Sequence, residues 1–144
     1  MVASHLDRIP FSVCPATLQQ LDEKGNLWFF ASTDSCLFKD IGEDNRVQLL
    51  YSDRKGQKYL TIYGRAVQVP VEQKRDELWD FNLLKWFEGK DDPKLALLSV
   101  SPEHSYYWDD ENNRAVSFFK RARAVIPKGK MPAWKKGLAG LWNH

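Results

Sequence analysis

A β-rich α+β fold is predicted, in which an antiparallel sheet of roughly six or seven short strands curls into a small barrel beside two helices. Three observations lead there. Extended runs recur along the chain and are separated by turn signals such as Asp22-Glu23-Lys24-Gly25-Asn26, which favours antiparallel pairing. Only two segments space their apolar residues as a helix does. Six Trp, five Tyr and eight Phe among 144 residues suit a β-rich core, a pocket or an interface. Strands this short and numerous must curl or close to hide their edges.

The elements follow in order. Residues 2–6 form a strand that enters a turn ending at Pro10. Residues 11–21 are a second extended run, in which Pro15 marks an edge or a bulge. Gly25 supplies the positive φ of the turn at 22–26, and residues 27–31 return as an aromatic strand. Asp34 or Ser35 caps a helix running to about residue 43, with Leu37, Phe38 and Ile41 on its inner face. Strands at 47–52 and 58–69 follow, the second holding Gly64, a mark of a bulge or close backbone approach. Residues 72–87 carry Leu78, Trp79, Phe81, Leu83, Trp86 and Phe87 with the spacing of one amphipathic helix, and Gly89 ends it. Strands at 95–100 and 105–109, a turn at 110–113 and a last ordered element at 115–126 complete the domain. Residues 1–126 thus form a barrel domain, and 127–144 a basic tail.

The net charge of +2 is unevenly placed. Residues 115–144 carry +7 and no acid, whereas the first 114 residues, with 14 basic against 19 acidic side chains, carry −5. A basic tail holding Trp134 and Trp142 can lie on a partner subunit or meet an anion, though a solvated tail is the ordinary reading and nucleic acid is not expected as a partner. No apolar run is long enough to cross a membrane. Cys14 and Cys36 lack CxxC spacing, so reduced thiols and a cytoplasmic location are expected. His5, His104 and His144 show no metal-ligand spacing, and no metal is expected. No P-loop or Ser/His/Asp set is visible, so no catalytic residue is assigned.

The stretch from Asn26 to Ser35, Asn-Leu-Trp-Phe-Phe-Ala-Ser-Thr-Asp-Ser, is the most informative. An aromatic strand ending in hydroxyl residues at a helix start offers a flat apolar wall beside backbone N–H groups able to face an anion. Phe29 and Phe30 alternate across the strand, so one belongs to the core and the other can face a ring. Ser35 reads first as a helix cap and second as a phosphate ligand. Cys36, at the helix start, has a setting that favours thiol reactivity.

These pieces occur in a familiar order. Pro15, Gly25-Asn26-Leu27-Trp28-Phe29-Phe30, Ser35, Asn45-Arg46-Val47, Tyr59 through Ala66, Glu77-Leu78-Trp79, Trp86-Phe87, Asp91-Asp92-Pro93 and Tyr107-Trp108-Asp109 follow one another with little gapping. Over residues 2–123 the chain resembles the pyridoxamine 5′-phosphate oxidase-like flavin-binding split barrels, and within them the general stress proteins. The resemblance implies a six-stranded antiparallel split β-barrel with flanking helices, paired as a homodimer. It implies flavin mononucleotide (FMN) at the subunit interface, touched by Gln19, Phe30, Ala31, Ser32, Ser35, Cys36, Leu37, Tyr59 and Trp108. It also implies a flavin-dependent oxidoreductase acting on a small substrate, or a barrel that has lost FMN and serves as a structural or interaction module. The family's basic pair after the helix-opening serine is replaced here by Cys36 and Leu37, and its arginine before the proline by Cys14.

Overall fold

The computed structural model describes residues 1–55 and 57–108, together with the strand backbone through residue 109 and over 114–119. The turn at 110–113, the basic tail and its two tryptophans lie outside the described residues.

Eight strands and short helical segments alternate: β1 (Val2–Ser4), β2 (Ser12–Cys14), β3 (Leu18–Leu21), β4 (Leu27–Ser32), α1 (Cys36–Glu43), β5 (Arg46–Asp53), β6 (Lys58–Val69), α2 (Arg75–Leu78), β7 (Leu95–Asp109) and β8 (Arg114–Phe119). Every pairing is antiparallel, along the path β2-β1-β5-β6-β7-β4-β3, with β8 on the far part of β7. The fold is the expected antiparallel split barrel with flanking helices. Its eight strands exceed six because β8 adds a further strand on β7 and because the run at 11–21, interrupted at Pro15, gives both β2 and β3. Those two short strands lie at opposite ends of the path, yet only residues 15–17 separate them. Four residue steps reach about 14 Å at most. The sheet must therefore curl until its ends nearly meet, and residues 15–17 cross the gap.

The runs at 95–100 and 105–109 form one strand, β7. Pro102 is tolerated inside it because β7 changes partners there. Its β4 pairing ends at Val100, and its β8 pairing begins at His104. Along that edge no ladder needs the missing N–H. Opposite lies Gly64, where the β6–β7 register slips. A Cβ at Gly64 would sit 2.4 Å from the Ser101 carbonyl oxygen, so the close approach requires glycine.

Residues 72–87 do not form one helix. A 3₁₀ turn (Val71–Gln73), the single turn α2 and a second 3₁₀ stretch (Phe81–Lys85) succeed one another. Trp79 is extended, with φ −64° and ψ 129°, and the Asp80 carboxylate then accepts from the Asn82 N–H at 2.7 Å. The break resets the helical phase. Leu78, Leu83 and Phe87 are buried against the sheet, while Phe81 is 82% and Trp86 72% exposed.

Two apolar clusters result. Leu27, Phe29, Leu49, Leu60, Ile62 and Leu98 fill the barrel together with Leu37 and Ile41 of α1. Trp28, Phe30, Leu95 and Leu97 face outward, under Leu78, Leu83 and Phe87. Strand β4 is thus buried on both faces, which explains its unbroken apolar run.

Candidate functional site

The crossing that closes the barrel also opens a cleft of about 260 Å³. One wall is the crossing itself, from Cys14 through Thr17, with Gln19 of β3 beside it. Phe30, Ala31 and Ser32 at the end of β4 form the floor, and Ser35 and Leu37 of the α1 start close one end. Leu83, Trp86 and Phe87 overhang from the broken segment. The lining is apolar and aromatic, with hydroxyl and carboxamide groups at its margins, the usual make-up of a small-molecule site.

Six of the sequence-predicted site residues, Gln19, Phe30, Ala31, Ser32, Ser35 and Leu37, come together here. Phe29 is the core member of its pair and Phe30 the cleft member, as the strand alternation requires. Cys36 is exposed on α1 between Ser35 and Leu37, and it does not line the cleft. Tyr59 and Trp108 lie elsewhere, paired across β6 and β7 and exposed on the outer face of the sheet. Phe87 packs on the sheet as expected and also lines the cleft, whereas Trp86, expected as helix packing, is an exposed cleft residue. Their place follows from the break at Trp79 and Asp80, for which the only local signal was Asp80 two residues before Asn82.

The α1 start is tightly organised. Ser35 Oγ accepts from the Phe38 N–H at 3.2 Å and donates to the Ser32 carbonyl at 2.6 Å. Ser32 Oγ accepts from the Asp34 N–H at 3.2 Å. Asp34, at the same end, pairs with Lys94 at 2.7 Å, a hydrogen bond and charge that hold its carboxyl below the ordinary range. Burial pushes the Cys14 thiol upward, so it stays protonated at neutral pH. Phe30 meets Trp79 edge to face at 6.3 Å. Beside the cleft, Lys74 stands 4.9 Å from the Trp28 ring and 3.0 Å from the Gln20 side-chain oxygen, which joins the broken segment to β3 and β4. Among the described lining residues no acid–base pair faces the cleft.

A separate depression of about 490 Å³ lies between the end of α1 and β6, open to solvent. Nearby, His5 sets its two ring nitrogens 2.6 Å from Asp7 and 2.9 Å from Glu43, while Asp44 is held by Arg46 at 2.7 Å. His5, Asp7 and Asp44 bring ligand-type atoms within 4.8 Å of one another, a grouping invisible in the spacing of the histidines. Each of the three already has an ion-pair partner. Among the described residues no helix is long and apolar enough to cross a membrane.

Known proteins share this architecture. A general stress protein 26-related protein of Clostridium acetobutylicum superposes with a TM-score of 0.71 at 17% identity, over 83% of each chain. The general stress FMN/FAD binding protein of Xanthomonas citri superposes with a TM-score of 0.60 at 26% identity, over 88% of this chain and 87% of that one. In sequence, General stress protein 26 of Bacillus subtilis is 38% identical over 48 residues, and the match spans about a third of each chain (33% and 34%). The family model for pyridoxamine 5′-phosphate oxidase-like proteins matches residues 7–132, most of the domain just described, and the chain belongs to that family.

Proposed function

We propose that this protein is a flavin-binding split-barrel homodimer of the general stress type. The single observation that carries the reading is the convergence of Gln19, Phe30, Ala31, Ser32, Ser35 and Leu37 on one cleft. The aromatic floor and the Trp86 overhang suit a flat ring, and the Gln19 carboxamide, whose N–H donates to the Thr17 carbonyl at 3.1 Å, keeps its oxygen for a polar ring edge. A bound isoalloxazine would supply hydride or electron transfer to a small oxidised substrate. The chain itself would stack the ring, shield one face from water and fix its edge. Ligand pockets usually enclose about 300–1,000 Å³. At about 260 Å³ the cleft of one chain lies near the small end of that range, and in this reading a second copy completes the site with Tyr59 and Trp108. Titration of the purified protein with flavin, followed by flavin fluorescence, tests this. Saturable quenching is expected. A protein that stays colourless and leaves flavin fluorescence untouched is the module without cofactor.

A further inference from the structure

We infer that the cleft selects the flavin ring and does not favour the phosphate of the nucleotide, so that riboflavin binds at least as tightly as FMN. The inference rests on the flavin reading and narrows it to a ligand class. Its basis is charge. Among the described residues no Lys, Arg or His side chain lines the cleft. The cleft-lining side chains nearest the α1 start are Cys14, Ser35 and Leu37, none of them cationic, and the two lysines that act on Asp34 at that end, Lys94 and Lys39, do not line the cleft. The nearest charged group beside Ser35 in the chain is Asp34, an ionised carboxylate already matched by Lys94.

The hydrogen-bond inventory agrees. The Ser35 hydroxyl donates to the Ser32 carbonyl and accepts from Phe38, so its proton is not available to a phosphate. The Asp34 N–H is held by Ser32 Oγ. At the first turn of α1, only the N–H groups of Cys36 and Leu37 remain. A phosphate monoester carries a charge of about −1.5 to −2 at pH 7, and the dipole of a short helix favours an anion by only about two- to fivefold. Desolvating the phosphate there has little to offset it, whereas the ring gains the same stacking with or without phosphate.

The test titrates the full chain with riboflavin and with FMN at matched ionic strength, reading flavin fluorescence. Riboflavin is expected to bind as tightly as FMN or more tightly, and FMN affinity is expected to change little between low and high salt. The Cys36→Arg variant, altered at an exposed position, is expected to raise FMN affinity about tenfold to a hundredfold, the worth of one charge-assisted hydrogen bond, and to leave riboflavin unchanged. An unaltered melting temperature confirms that the variant is folded. FMN binding more than about tenfold tighter than riboflavin in the unaltered chain overturns the inference while leaving the flavin reading intact. Loss of that preference in Lys39→Met, or on deletion of residues 127–144, would assign the phosphate to α1 or to the tail. Binding of neither flavin overturns both.

Discussion

Tyr51 packs partly buried against the barrel core, and its hydroxyl oxygen is buried with no hydrogen-bond partner among the described residues. Burial accordingly raises its pKa far above the ordinary value. A desolvated hydroxyl without a partner costs about 1–3 kcal/mol. Tyr51→Phe keeps the ring and removes that cost, so it should stabilise the protein by about 1 kcal/mol, read as a rise of roughly 3–5 °C in melting temperature. His5 has the opposite character. It occupies left-handed backbone with φ 56°, and its pKa is raised by Glu43 and then Asp7, against burial and Arg8. A raised folded pKa means that its contribution is complete below about 6.5. That contribution fades as pH climbs through the folded value. His5→Asn retains a residue tolerant of positive φ. The gap in melting temperature between wild type and this variant should be widest below pH 6.5 and close as the solution becomes alkaline. A gap constant with pH would show that His5 acts through packing alone. The burial of Tyr51 and the Glu43 contact of His5 both depend on residues distant in sequence, which is why neither appears in a reading of spacings. The Ser35 cap, whose partner is three residues away, was legible.

Elements fixed by local chemistry were the easiest to read. The turn at 22–26 depends on Asp22, whose carboxylate accepts from the Asn26 N–H at 2.9 Å and from Trp28 Nε1 at 3.0 Å, and on Gly25 with φ 91°. The Gly64 bulge was equally legible, because few other reasons place glycine inside a long strand. Gly64→Ala should cost about 1–3 kcal/mol, since the added Cβ meets backbone rather than a movable side chain. A circular-dichroism melt would check it. The broken segment was not legible as such. Its apolar spacing suits one continuous helix, and only its packing on Trp28 and Phe30 shows which residues face inward. Two substitutions separate its roles. Phe87→Ala removes a buried ring and should destabilise the fold by about 3–5 kcal/mol. Trp86→Ala removes an exposed one, so stability should stay within about 0.5 kcal/mol of wild type. Flavin affinity should nevertheless fall about five- to tenfold if the indole covers the ring. Unchanged affinity in Trp86→Ala would remove that overhang from the site.

At the scale of the molecule, the path of the sheet explains both the cleft and the face left bare. Joining its two ends through residues 15–17 forces the curl, and the crossing becomes a wall of the site. Pro15 announced a break there, but the placement of β2 and β3 at opposite ends is set by long-range pairing that no local signal carries. The outer face of β5, β6 and β7 has no covering layer among the described residues. Register places Leu50 across from Thr61 and Thr61 across from Tyr106, with Tyr59 across from Trp108 in the next rung. Leu50, Tyr59, Tyr106 and Trp108 are 37%, 47%, 56% and 42% exposed, and this run of large apolar groups on adjacent strands is the face to which the proposed homodimer contact is assigned. In the proposed homodimer a second copy seated there would bury them, with Tyr59 and Trp108 added to its partner's cleft. Light scattering should then report twice the mass of one chain. Tyr106→Arg, on this face but outside the cleft, should shift the protein toward monomer by placing a charge in the interface core. Because an interface that completes a site couples assembly to binding, the same variant should lose flavin affinity, and concentrating the protein should restore it. A monomeric variant that binds flavin as tightly as the wild type would show that each chain builds its site unaided.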